Sequence, residues 1–262
     1  MPDRPSSWGA VLTIAQRDVT KLLSDKPRLI GSFVLPFLMV VILGRSFQGL
    51  TGLADFDYVT FVFTGVYAQT VFQSAATGLV SLLDDRDNDF SQELFVAPVS
   101  RYAIVSGKIL GESLVAIVQA AGVVVFGVII GADIPMHALP GLAAVTVVMC
   151  LVGGAFGLLL LAPARNRRFA EQIFNFVFLP QFLLAGVFNP IRALPTYLDV
   201  LSRLAPLRYA VDLTRSVFYI GSPDRDDVVV DGFALNAVVL AVLFVVCIAA
   251  GTTLFVRKER DR

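Results

Sequence analysis

"DFSQELFVAPVSR", Asp89 to Arg101, is a short polar stretch set between two long apolar ones. Upstream, Tyr58 to Leu83 carries no Asp, Glu, Lys or Arg, and downstream Ile104 to Gly131 carries only Lys108 and Glu112. Each flank is long enough to cross a hydrocarbon core, which takes ~20 mostly apolar residues. Between them stand Asp84, Asp85, Arg86, Asp87, Asp89 and Glu93. A segment so charged does not lie in lipid, so the chain turns there at a membrane surface. The turn carries helix signals of its own. Asp89 suits an N-cap with Gln92 three residues on, Pro98 forbids continuation, and Ser100 caps whatever follows. The spacing predicts a short amphipathic helix presenting Leu94 and Phe95 beside Glu93 and Arg101. Such a patch suits either lipid headgroups or a docking partner.

The rest of the chain follows this pattern. Hydrophobic residues make up 56% and charged residues 16%, with a mean hydropathy of +0.75. One large soluble core does not account for that balance, since soluble domains carry ~25% charged residues. Six stretches qualify as spans: 29–47, 58–83, 104–131, 139–162, 173–188 and 233–256. The fifth is the shortest, and its helix can begin nearer Phe169. The prediction is an all-α integral membrane protein with six transmembrane helices. It forms one transmembrane domain over 1–262, with spans one to five within 29–188 and an outer loop at 189–231. The first 27 residues lack the continuous apolar core of a cleavable signal.

Lysine and arginine placement sets the orientation. Fifteen basic residues fall in the N-terminal segment, the second-to-third and fourth-to-fifth connections and the tail, against six in the other connections. Both termini and the 89–101 helix are therefore expected on the cytoplasmic side. Within 7–26, Trp8, Val11, Leu12, Ala15, Val19, Leu22 and Leu23 form an apolar stripe at helical spacing, with Arg17, Thr20 and Lys21 opposite. That pattern suits an N-terminal amphipathic interface helix, the alternative being a helix packed on protein. In the outer loop, "LPTYLDVLSRLAPLRYAVDLTRSVF" (194–218) predicts two short helices, broken at Pro206 and dipping toward the membrane.

Several chemistries find no support. Zero formal net charge gives no pointer to nucleic acid. Cys150 and Cys247 sit inside apolar runs, His137 is the single histidine, and no clustered ligand set suggests a metal. Gly107-Lys108 is not part of a phosphate-binding G-x-x-x-x-G-K-[ST] loop, and no H-E-x-x-H or G-x-S-x-G occurs. No catalytic residue is therefore expected. The remaining clue is polar residues inside spans, which tend to face protein or a cavity. Gln69, Gln73 and Thr77 recur at i, i+4, i+8 on the second span. On the fifth, Phe174, Phe178, Gln181 and Phe182 share a face. Interhelical hydrogen bonding and plain packing are the competing readings of these two rows. Glu112 lies one turn from Lys108, so their charges can pair.

The chain resembles the membrane subunit of type-2 ABC exporters, the drug, lipid and polysaccharide permeases, in the group that includes daunorubicin-resistance permeases. Two motifs carry the likeness. "QELFVAPVSR" (92–101) is similar to the family's E-L-x-x-x-P-x-x-R segment before the third span. "LPTYLDVLSRLAPLRYAVDLTR" (194–215) is similar to its L-P-x-x-L…P-L-x-Y-x-V-D-x-x-R segment before the last. The resemblance implies a short cytoplasmic coupling helix, with Glu93, Leu94, Phe95 and Arg101 docking on a separate ABC ATPase. It also implies outer re-entrant helices before the last span. Two permease copies would enclose a substrate path lined by the second and fifth spans, with Gln69, Gln73, Thr77, Phe174, Phe178, Gln181 and Phe182 on it. A phenyl-rich path without buried charge suits an amphipathic or apolar drug-like or lipid-like substrate. ATP and Mg would bind the partner, with no cofactor in this chain, and the site of action would be the bacterial inner membrane. A non-transporting membrane scaffold and an ion-coupled carrier are the rival functions. A carrier needs an ionisable residue at mid-span, and Glu112 lies nearer the cytoplasmic end.

Overall fold

The computed structural model describes residues 7–24, 34, 36–44, 56–81, 83, 101–164 and 166–260. Every regular element among them is helical. In chain order they are α1 (Ser7–Ser24), a π-helical turn (Val40–Gly44), α2 (Tyr58–Gly78), α3 (Arg101–Ile130), α4 (Leu139–Leu161), α5 (Arg167–Leu184), α6 (Thr196–Ser202), α7 (Pro206–Phe218), α8 (Arg225–Val228) and α9 (Phe233–Arg260). The 84–100 segment lies outside the described residues, and Glu93, Leu94 and Phe95 with it. Arg101 is the first residue of α3. Of the first predicted span, only residue 34 and 36–44 are described.

Among the described residues, three helices are long and apolar enough to cross a membrane: Ser106–Ile130, Met136–Leu161 and Arg225–Leu254. At ~1.5 Å per residue each exceeds a ~30 Å hydrocarbon core. Their outward faces are apolar. On α9, Leu235, Val238, Val242, Val245 and Val246 are all exposed along one stripe, and on α3 Val125, Val128 and Ile129 are. Water would penalise such stripes and lipid does not. The chain is a multi-pass, all-helical membrane protein.

α2 stands at the centre and packs against α3, α4 and α7. Asp57 caps it, its carboxylate accepting from the backbone N–H groups of Val59 and Thr60 at 3.2 Å each. The apolar side of α2 (Phe61, Val62, Ala68, Phe72, Ala75 and Ala76) is completely buried. Its contact with α4 is close because α4 offers Gly153 and Gly157 there, opposite the backbone of Phe72 and Ala76. Small residues four apart let two helix backbones touch, a common solution where lipid supplies no hydrophobic drive. At the far end of α3 the chain reverses at Gly131, whose φ is +83°. Gly131 N–H bonds the Val128 carbonyl and Ala132 N–H the Gly127 carbonyl, the paired closure of a Schellman turn.

α1 runs along α3. The contact uses Ala15 and Asp18, both buried, against Gly111, where a Cβ would meet Ala15 and the Asp18 carboxylate. Leu12 stays exposed. The face toward protein thus centres on Ala15 and Asp18, and the position of Asp18 is not part of the apolar stripe read from the sequence.

Pro206 separates α6 from α7, as the sequence predicts, and opens α7 at its first turn, where the missing N–H costs nothing. The burial of α7 is the departure. Read as an outer-loop helix, it is instead enclosed by α2, α4, α5 and α9, with every residue but Tyr209 buried. Arg208 and Arg215, counted from the sequence as loop charges, are therefore interior. Lys108, counted as a loop charge on the opposite side, is interior as well.

Candidate functional site

A cavity of about 310 Å³ opens between α2, α3 and the 36–39 segment. α2 contributes Gln69, Thr70, Gln73, Ser74 and Thr77, the polar side of a helix whose other side is core. Gln69 Nε2 donates to Gln73 Oε1 at 3.3 Å, and Thr77 Oγ1 returns to the Gln73 carbonyl at 2.8 Å. Each side chain thus keeps a local partner, while the row presents amide and hydroxyl groups to the cavity. Met39, Val66, Val115 and Phe182 supply apolar wall, and Gln119 and Glu112 face in from α3.

Glu112 overturns the expectation of a path without buried charge. It is 5% exposed and lines the cavity beside Gly78. A side chain at Gly78 would collide with its carboxylate, so the glycine makes the room. Glu112 Oε1 accepts from Ser81 Oγ at 3.0 Å and lies 3.4 Å from Lys108 Nζ. Lys108 also donates to Asp18 Oδ2 at 2.8 Å, and Arg17 lies 3.0 Å from Asp18 Oδ1. This ion network ties α1 to α3 and to the end of α2. Burying it is sustainable because each charge meets an opposite one.

On α5, Asn166 caps the helix by accepting from Phe169 N–H at 2.9 Å. Phe174 and Phe178 face inward and stack with centroids 5.9 Å apart. Phe178 also meets Phe72 of α2 at 6.2 Å and Phe156 of α4 at 6.1 Å, both edge-on. Edge-to-face contact of this kind is favourable packing. Gln181 Oε1 accepts from Leu207 N–H at 3.3 Å, satisfying one of the free donors at the start of α7. The opposite face of α5 exposes Phe176, Leu179 and Leu183.

α7 carries Arg208, Asp212 and Arg215 at i, i+4, i+7, all buried. Arg208 Nη1 donates to Asp199 Oδ1 at 2.7 Å and also bonds Ser202 Oγ. The Asp212 carboxylate accepts three donors: Val230 N–H at 2.8 Å, Asp231 N–H at 2.7 Å and Asn236 Nδ2 at 2.8 Å. It thereby fixes the entry to α9. Arg215 lies over the Phe61 ring at 3.7 Å and donates to the Phe61 carbonyl at 3.2 Å and the Val187 carbonyl at 3.5 Å. The P-L-x-Y-x-V-D-x-x-R motif thus works as a buried bolt joining α2, α6, α7 and α9.

A protein-family profile described as "ABC-2 type transporter" matches residues 9–219, from α1 through the end of α7. The chain belongs to that family. It is 25% identical over 196 residues to "Putative transport permease ycf38" of Cyanophora paradoxa, covering 72% of this chain and 67% of that one. It is 31% identical over 172 residues to "Probable multidrug ABC transporter permease YbhR" of Escherichia coli K12, covering 63% of this chain and 45% of that one. The chain thus spans about two thirds of the first relative and less than half of the second. Membership makes the protein a type-2 ABC permease, the membrane subunit of a transporter whose family implies an ABC ATPase partner.

In this ABC-2 type permease the structure gathers Gln69, Gln73, Thr77 and Phe182 around one cavity. Phe178 meets α2 and α4 instead, with Phe174 stacked on it, and Gln181 reaches α7. Gln119 and Glu112 join the cavity from α3. Their spacing of seven, two helical turns, was the available signal. Asp18 had none, because its partner Lys108 is 90 residues away.

Proposed function

We propose that this permease is the membrane-spanning half of an ATP-driven exporter, moving an amphipathic molecule out of the cytoplasm through the cavity beside α2. The carrying observation is that cavity: a polar row of Gln69, Gln73 and Thr77 facing apolar wall, in a chain of this family. Mixed walls suit a molecule with both an apolar body and polar groups. The full arrangement has six spans, both termini in the cytoplasm, and residence in a bacterial inner membrane. Two copies of the chain pair with two copies of a separate ABC ATPase, which holds ATP and Mg. The 92–101 segment is the contact, with Glu93, Leu94, Phe95 and Arg101 in the ATPase groove. Burying Leu94 and Phe95 there contributes roughly 3–6 kcal/mol before ordering costs. Domain closure on ATP then pushes α3, which begins at Arg101, and the cavity wall moves with it.

The test is transport into inside-out membrane vesicles carrying the permease and its ATPase. Rhodamine 123, as an amphipathic probe, should accumulate only with MgATP. Phe95→Asp should abolish accumulation and release the ATPase on purification while the permease remains in the membrane. ATP-dependent accumulation that persists with Phe95→Asp, with the ATPase still bound, contradicts the coupling. Equal dye levels with and without ATP in wild type contradict the function.

A further inference from the structure

α3 sends Glu112, Val115 and Gln119 to the cavity beside α2, at i, i+3 and i+7 on one face of the helix. Leu114 and Ile117 lie on the other face and are exposed. Glu112 already has partners: Lys108 Nζ stands 3.4 Å away and Ser81 Oγ donates to it at 3.0 Å. Gln119 differs. It is 8% exposed, and among the described residues its carboxamide neither donates nor accepts a hydrogen bond. Gln181 shows what a structural glutamine does here. It accepts from Leu207 N–H at 3.3 Å and donates to the Val177 carbonyl at 3.4 Å, so it fastens two helices. Gln119 fastens nothing. Nor is its amide sealed in protein. Its oxygen and nitrogen keep access to the cavity, whereas the Ser113 hydroxyl on the same helix is closed off without a partner.

A buried amide is costly unless something bonds it. In the empty cavity that something is water, for which about 310 Å³ leaves ample room. A ligand that displaces this water gains affinity only if it reproduces the lost bonds. Gln69 and Gln73 impose the same condition less strictly. Their mutual bond leaves Gln69 Oε1 and Gln73 Nε2 open, but both residues are only partly buried and stay wetted. Gln119, more than nine-tenths buried, is the discriminating wall group.

The complement of a carboxamide is specific. It presents an acceptor and a donor side by side in one plane. A ketone or ester meets the donor alone, and a single hydroxyl oxygen cannot align with both at once. A primary carboxamide or a lactam meets both: its carbonyl accepts from Nε2 while the N–H on the same side donates to Oε1. No added charge is called for, because Glu112, Lys108, Asp18 and Arg17 already pair with one another. Met39, Val115 and Phe182 supply apolar wall. We propose that Gln119 is the residue by which this cavity selects its ligand, a neutral amphipath bearing a primary carboxamide or lactam, held by paired hydrogen bonds to Gln119 with its apolar body against Met39, Val115 and Phe182. As a statement about substrate this rests on the exporter reading above. As a statement about binding it is tested on the permease by itself.

The test uses the full chain in maltoside micelles and a scintillation proximity assay. Tritiated 4-phenylbutanamide, its N-methyl derivative and methyl 4-phenylbutanoate are each titrated, with empty micelles subtracted. The N-methyl amide keeps both groups but turns its N–H away from the carbonyl, and the ester has no donor. The primary amide should bind about tenfold more tightly than either, since each of the others leaves Gln119 half satisfied. That comparison needs no variant. Gln119→Met keeps the side chain's length and breaks no intramolecular bond, so the melting temperature should hold. It should weaken the primary amide about tenfold and bring it level with the ester, whose own affinity stays within about twofold. Equal binding of amide and ester by wild type means that Gln119 holds water only, and overturns the proposal. Absence of binding by all three, or a preference for the amide that survives Gln119→Met, overturns it as well. ATP-dependent rhodamine 123 accumulation in vesicles reads the exporter function separately. Its absence while amide selectivity holds overturns the exporter reading and upholds the site. Its presence while selectivity fails does the reverse.

Discussion

Replacing Gly157 with alanine should loosen the α2–α4 contact on which the candidate cavity's wall rests. An ideal Cβ there stands 2.7 Å from the Ala76 Cα and closer still to the Ala76 carbonyl, whereas ordinary contact begins at 3.4 Å. Both obstacles are backbone, so the helices must part by about 0.7 Å or more, which forfeits a sizeable share of the local dispersion energy. Overpacking of this kind costs about 1–3 kcal/mol, and the helical preference of alanine over glycine returns about 1 kcal/mol. With backbone rather than a side chain as the obstacle the cost falls in the upper part of that range, about 2–3 kcal/mol, so the net loss is about 1–2 kcal/mol. Gly153→Ala should behave alike, since its Cβ would stand 2.5 Å from the Phe72 carbonyl oxygen. Gly154, one residue along, is the control. Its Cβ would stand 3.1 Å from a methyl of Ile109, a side chain that can yield. Gly154→Ala should therefore keep the helical gain and melt at or slightly above wild type. Thermal loss of the monodisperse size-exclusion peak in detergent should fall by about 2–8 °C for the first two variants. Melting of all three within 1 °C of wild type, or Gly154→Ala faring worst, refutes the close-packing argument.

Arg215→Lys keeps the charge but loses the planar fork and the stack on Phe61, and should destabilise by about 2–3 kcal/mol in the same assay. Asp199 is held below the usual carboxylate range by hydrogen bonds from Arg208 and then Arg203. A depressed folded value means its contribution is present above the unfolded value of 3.8 and is lost as pH falls below it, through the lower folded value. Melting measured against pH should show that acid-side decline, and Asp199→Asn should make it shallower. A single cysteine at Asn166, with Cys150 and Cys247 replaced, should resist an impermeant thiol reagent applied to intact cells, while one at Ser222 should react. Labelling of Asn166 from outside reverses the topology.

The sequence carries some of these features on its surface and hides others. Long apolar runs betray α3, α4 and α9, because lipid demands length and apolarity of each helix by itself. The Gln69–Gln73–Thr77 row is legible for a similar reason: it is one face of one helix. Pairwise features are harder. Lys108 and Glu112 are visible as an i, i+4 pair, yet their third member, Asp18, comes from a helix distant in sequence. Periodicity puts Phe174, Phe178 and Gln181 on one face without saying what that face meets. α7 shows the limit most clearly. Arg208 and Arg215 count in the sequence as outer-loop charges, and only the partners that they and Asp212 meet in the fold make burial tolerable.

The central claim is that substrate passes through the cavity beside α2. Gln73→Trp would push an indole into that 310 Å³ space and narrow it, from a wall position that is only partly buried. In reconstituted permease and ATPase, the account predicts loss of dye transport and of dye-stimulated ATP hydrolysis, with basal hydrolysis, assembly and melting temperature kept. Transport at the wild-type rate with the cavity so narrowed would contradict it.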